Sequence, residues 1–131
     1  MRIAKHAPCP CGSGAIYLKC CRPLHQQKHL AKTPEALMRS RYSAFVVADS
    51  QYLLRTWSPE TRPKDLDLRD QPVWHHLEVL ASQQQGDQGQ VHFKAYYQGA
   101  TGLDALEEIS EFKRIQGCWY YVQGQVEADV S

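Results

Sequence analysis

Cys9-Pro10-Cys11-Gly12-Ser13-Gly14-Ala15-Ile16-Tyr17-Leu18-Lys19-Cys20-Cys21 gathers four of the five cysteines of the chain into thirteen positions. The pattern is C-x-C, eight residues, then C-C. Two close thiol pairs joined by a short loop suit a tetrahedral soft-metal centre, and zinc accepts four nitrogen or sulfur ligands without a geometric demand of its own. Gly12 and Gly14 permit the sharp turns that bring the sulfurs together. The spacing therefore predicts one Zn2+ per chain, held by Cys9, Cys11, Cys20 and Cys21. A closed four-ligand shell leaves no position for a reacting water, so the metal is expected to be structural. His25 and His6 flank the cluster as rival ligands. A disulfide scaffold and a redox dithiol are the alternatives. The opening Met-Arg-Ile-Ala-Lys-His-Ala-Pro has no apolar signal-like run and no segment approaches a membrane span. These features predict a cytoplasmic protein with no membrane partner and with reduced thiols, which favours metal. Cys118, alone in an aromatic segment, reads as a small buried hydrophobe.

Charge is unevenly spread. Residues 1–32 hold Arg2, Lys5, Lys19, Arg22, Lys28 and Lys32 and no acid, whereas residues 33–131 hold nine basic and fourteen acidic residues, a balance of −5. Four thiolates and one divalent ion leave the N-terminal segment at roughly +4. A basic knuckle on an acidic body points to an anionic partner, either RNA, a ribosome or an acidic protein surface, met by Lys5, Lys19, Arg22 and Lys28. The competing expectation is that these cations dock on the acidic body of the same chain.

The body opens with a helix. Thr33 is a good N-cap, Pro34 fits the first helical position and Glu35 suits the positive end of the helix dipole. Leu37, Met38, Tyr42, Phe45 and Val46 recur at helical spacing as one buried stripe, and Arg41 lies beside it, where a guanidinium must find partners. Asp49 caps a second short helix with Tyr52, Leu53 and Trp57 inward; Ser58-Pro59 ends it. The proline-rich connection from 58 to 72 is expected to contain a turn of helix near Pro63 to Leu68. Strands follow over 73–83, 90–98, 106–115 and 118–122, with Gln116-Gly117 as a two-residue hairpin turn. Helices followed by an antiparallel meander read as α+β. His75 and His76, as strand neighbours, are expected on opposite faces. No Walker loop, dinucleotide glycine pattern, Ser-His-acid signature or HExxH is present in the sequence.

Cys9-Pro10-Cys11-Gly12-Ser13-Gly14 with Tyr17, Lys19, Cys20 and Cys21 resembles the SEC-C motif, the zinc knuckle found at the tail of the SecA preprotein translocase motor. There the last ligand is usually His; here it is Cys21. Arg39-Ser40-Arg41-Tyr42-Ser43-Ala44-Phe45-Val46, Tyr52-Leu53, Thr56-Trp57 and Gly117-Cys118-Trp119-Tyr120-Tyr121-Val122 extend the likeness to the YchJ family over nearly the whole chain. The resemblance implies a knuckle over residues 1–30 and, over 31–131, a domain similar to the nuclear transport factor two cone, in which helices pack on a curved antiparallel sheet. It implies no activity.

The hairpin register pairs Arg114 with Trp119. One face of the sheet then carries Glu108, Ser110, Phe112, Arg114, Trp119 and Tyr121, and the resemblance aims this face into the cone. With Arg41, Tyr42 and Trp57 opposite, the candidate pocket comprises Arg41, Tyr42, Trp57, Glu108, Ser110, Trp119 and Tyr121. Glu108 is expected to be mostly buried and bonded by Arg41 or a tyrosine hydroxyl, as a structural ion pair or as a base whose pKa desolvation raises. Two classes of function follow: a zinc-binding accessory protein docking through its knuckle, and a small-molecule-binding protein or acid/base enzyme using the cone. The knuckle and the body are expected to fold as separate units, so that chelation melts only residues near 6 to 25.

Overall fold

The computed structural model describes residues 3–126. A small hairpin comes first, with Pro8 bridging Ile16 and Cys9 N donating to Ala15 O at 2.9 Å. A 3-10 turn over Tyr17–Lys19 and a short helix α1, Arg22–His25, complete the knuckle. Helix α2 spans Pro34–Val46 and α3 spans Ser50–Arg55. Both predicted caps are made: Ala36 N donates to Thr33 Oγ1 at 3.0 Å and Tyr52 N to Asp49 Oδ1 at 3.1 Å.

Four antiparallel strands follow in the order β1-β2-β3-β4, over Trp74–Gln85, Gln88–Gly99, Gly102–Ile115 and Cys118–Val126. The architecture is α+β, with α2 laid across one face of the sheet. Leu37, Met38 and Tyr42 from α2 meet Leu77, Val91, Phe93, Ala95, Phe112 and Trp119 from the strands in the main core. No helix among the described residues is long and apolar enough to cross a membrane.

The last hairpin has the expected register, Ile115 with Cys118 and Arg114 with Trp119. A bulge then intervenes: Phe112 pairs with Tyr121, Glu111 with Gln123 and Ser110 with Gly124, leaving Val122 as the extra residue. Strict alternation would put Gly124 on the outer face; the bulge returns it to the inner one. Segment 56–58 runs along the free edge of β4. Tyr121 N donates to Thr56 O at 2.8 Å and Ser58 N to Tyr121 O at 2.6 Å, so that edge of the sheet is covered.

Three local expectations are corrected. Residues 63–68 form no helical turn; this connection is held instead by Leu66 and Leu68 against the Tyr52–Leu53 cluster and by Gln71 Nε2 donating to Phe45 O at 2.6 Å. His75 and His76 do not point apart: a register irregularity between Trp74 and His76 brings their Nδ1 atoms to 2.6 Å. Cys118 is only partly buried, at the hairpin end.

Candidate functional site: a thiolate centre clamped to the wall of a small chamber

The four sulfurs of Cys9, Cys11, Cys20 and Cys21 all lie within 4.8 Å of one another. In a tetrahedral metal–thiolate centre with bonds of about 2.3 Å the sulfurs sit about 3.8 Å apart. Cys11 and Cys20 at 3.5 Å, and Cys20 and Cys21 at 3.9 Å, fit that geometry. Gly12 (φ +80) and Gly14 (φ +91) occupy the left-handed backbone region that the sharp loop demands. Crowding of four thiols has opposed consequences. Hydrogen bonds from Cys11 and Cys21 push Cys9 down, while burial raises Cys20 to about 11 and the same sulfur contacts raise Cys21. Four thiolates at this spacing require a cation to hold them.

Helix α2 closes the centre from behind. Ser43 Oγ lies 3.5 Å from Cys9 Sγ and 3.4 Å from Cys21 Sγ, and Arg39 Nη1 donates to Cys11 O at 2.6 Å. His25 is not a ligand. Its Nε2 lies 2.8 Å from Ser40 O, so that nitrogen carries the proton, and Nδ1 accepts from the Tyr17 hydroxyl at 2.7 Å. Burial holds its pKa below the ordinary imidazole value. His6 is exposed and stands outside the cluster. Arg39, Ser40 and Ser43 were missed as site residues; the signal was two serines three apart in the middle of α2, where small hydroxyl residues are not needed to fill a core.

Lys5, Lys19 and Lys28 are exposed and Arg22 is partly buried. None of them is within ion-pair distance of an acid among the described residues, where the pairs are Arg39–Glu35, Arg69–Asp67, His92–Glu107, Lys113–Glu60 and Arg114–Asp87. Among the described residues, then, no ion pair joins these four cations to the acidic body. Arg2 lies outside the described residues.

The opposite face of α2 looks into the cone. Between it and the sheet is a chamber of about 100 Å3 that brings together five of the predicted residues, Arg41, Tyr42, Glu108, Ser110 and Tyr121, with Trp74, Phe93 and Leu106 among its apolar walls. Trp57 and Trp119 do not line it. Trp57 lies beside the Arg41 guanidinium, 5.2 Å from ring centre to Cζ, and Trp119 is core beneath Arg114.

The expected Arg41–Glu108 pair is not formed. Arg41, only 4% exposed, is drawn the other way: Nη1 donates to Leu53 O at 2.8 Å and to Thr56 Oγ1 at 2.7 Å, and Cζ lies 4.5 Å from the Tyr121 ring centre. Burial lowers its pKa to about 10, which leaves it charged. Glu108 is partly buried and has no hydrogen bond among the described residues. Its carboxyl lies over Gly124, where an added Cβ would collide with it. Burial raises its pKa, with Arg41 opposing, and burial also raises Tyr42 and Tyr121 to about 12.

The profile of the YchJ middle, NTF2-like domain matches residues 33–124. The chain belongs to the YchJ family. It is 45% identical over 123 residues to a UPF0225 protein of Corynebacterium glutamicum, covering 91% of this chain and 97% of that one. A UPF0225 protein of Streptomyces coelicolor is 46% identical over 121 residues, 90% and 94% of the two chains. Among solved structures, a SEC-C motif containing protein from Rhodopseudomonas palustris superposes with a TM-score of 0.83 at 35% identity, over 92% of this chain and 98% of that one. A second, from Psychrobacter arcticus, gives 0.79 at 31%, over 94% and 84%. The YchJ membership accounts for the cone, and the SEC-C likeness for the thiolate centre in front of it.

Proposed function

We propose that the chain is a cytoplasmic zinc-binding accessory protein whose knuckle docks on RNA, free or in a ribosome. Zinc is the ion that best suits four thiolates in a closed tetrahedral shell. The observation that carries the docking surface is the set of cations Lys5, Lys19, Arg22 and Lys28, unpaired among the described residues, on the unit that gathers the four cysteines. Fluorescence anisotropy with a labelled RNA oligomer tests it. Affinity should fall as salt rises, with a log–log slope of roughly −2 to −3 for three or four neutralised phosphates. Lys19→Ala with Arg22→Ala should weaken binding by about tenfold. Indifference to both sinks the reading. Recovery of an acidic protein by the wild type and not by the variant, with no RNA bound, moves the partner to the protein class.

A second reading is small-molecule binding in the cone, with acid/base chemistry by Glu108 as its catalytic form. The chamber at Arg41 and Glu108 favours it. Its volume is well below the roughly 300–1,000 Å3 of sites for drug-sized ligands, so the ligand is small.

A further inference from the structure

The chamber behind α2 collects polar groups that the protein itself does not satisfy. Among the described residues no hydrogen bond reaches the hydroxyls of Tyr42, Ser110 or Tyr121 or the carboxylate of Glu108, and Arg41 uses Nη1 alone. The fully enclosed polar atoms without partners, Trp57 Nε1, Ser58 Oγ and Trp119 Nε1, belong to residues that do not line the chamber. Four side chains without a protein partner among the described residues, Tyr42, Ser110, Tyr121 and Glu108, line one space beside the Arg41 guanidinium, and their polar atoms are not sealed off, so a ligand can reach them.

Their chemistry selects the ligand. Arg41 offers only donors and ionised Glu108 only acceptors. The two share the chamber without reaching ion-pair distance, and the inner-face position of Gly124 keeps room for the Glu108 carboxylate. Building on the small-molecule reading above, we propose that the chamber binds a small neutral molecule with an acceptor and a donor on one edge, a primary amide in class, carrying a short apolar tail. The carbonyl faces Arg41, the N–H faces Glu108, and the tail lies against Trp74, Phe93 and Leu106. A carboxylate meets Glu108 and an ammonium meets Arg41; like charges in a site of low dielectric are disfavoured. An apolar cavity of about 150 Å3 accommodates benzene, so this one takes about four to six heavy atoms.

Propionamide, propionate and propylammonium are matched probes. Each is titrated into the metal-loaded full chain in mildly alkaline buffer, which keeps Glu108 ionised, and followed by NMR at the Trp74 indole and the amides of Phe93 and Ser110. Propionamide should give saturable shifts, with the two ions at least about tenfold weaker. In Glu108→Gln, which removes the charge and keeps the size, discrimination against propionate should shrink to about threefold or less. If none of the three binds, the small-molecule reading falls and the proposal with it. If an ion binds as tightly as the amide, or if Glu108→Gln leaves the discrimination intact, the amide assignment is overturned while a binding chamber remains.

Discussion

His25 Nε2 donates to the backbone carbonyl of Ser40 at 2.8 Å, a bond from the knuckle into the middle of α2. Ser40 Oγ in turn meets the Tyr52 hydroxyl at 2.7 Å, and the His25 ring sits edge-on to Tyr52 at 4.7 Å. The knuckle is thereby linked to both helices that carry the cone.

Chelation should therefore do more than melt the knuckle. The sequence alone suggested an independent unit; the contacts of Ser43, Ser40 and Arg39 lead to the opposite expectation. Removing the metal should lower the melting temperature of the whole chain by roughly 10 °C, equivalent to about 2–3 kcal/mol. Cys11→Ser, at a position with no exposed surface, should reproduce this and reduce bound zinc from one equivalent per chain. Calorimetry with elemental analysis decides; an unchanged body transition in the apo protein restores the independent unit.

The same histidine gives a pH dependence. Its folded pKa lies below the ordinary value of about 6.5 because burial disfavours the cation. The unfolded chain then binds the extra proton first, so stability is fully present above about 6.5 and declines as pH falls toward the folded pKa. His25→Ala should cost about 1–3 kcal/mol by leaving the Tyr17 hydroxyl without its partner and removing the bond to the Ser40 carbonyl. It should also flatten this slope in urea titrations carried out at constant bound zinc. Parallel pH profiles for the two proteins would disprove the assignment.

Gly124→Ala should destabilise by about 1 kcal/mol, since the new methyl displaces the Glu108 carboxyl, the mobile end of a partly exposed side chain. Glu108→Ala alone should cost less than about 1 kcal/mol, because no ion pair with Arg41 is lost. In the double variant the penalty at 124 should largely vanish. A double-mutant cycle in denaturant reads the coupling, and additivity would show that the two side chains do not compete for one space.

Arg41→Lys should destabilise by about 2–3 kcal/mol despite keeping the charge. An ammonium cannot both bridge Leu53 O and Thr56 Oγ1 and lie flat against Trp57 and Tyr121. A variant as stable as the wild type would mean that charge alone is required there.

What the sequence disclosed was local. The four cysteines, the caps at Thr33 and Asp49 and the register set by Gln116-Gly117 each depend on a few consecutive residues, and each is found as read. That Ser110, Phe112, Trp119 and Tyr121 share one face followed from that register; its inward aim came from the family resemblance. What stayed hidden depends on partners far along the chain. The bulge at Val122 is set by the pairing of two strands, and Arg41 was drawn from Glu108 by a carbonyl and a hydroxyl on α3 and its end. The irregularity at His75 has the same origin, and no periodicity announces it. The clamp of knuckle on α2 joins residues up to 34 positions apart.

The order of these parts along the chain bears on how the protein is made. Every thiolate ligand leaves the ribosome before Ser40 and Ser43, the α2 residues that complete the clamp. Closing a loop of so few residues around an ion is fast and entropically cheap compared with assembling the sheet. The nascent knuckle can therefore load its ion first and present a finished surface on which α2 winds as it emerges. A cell short of zinc during synthesis would then yield fewer folded copies, rather than a pool of intact molecules waiting to be charged.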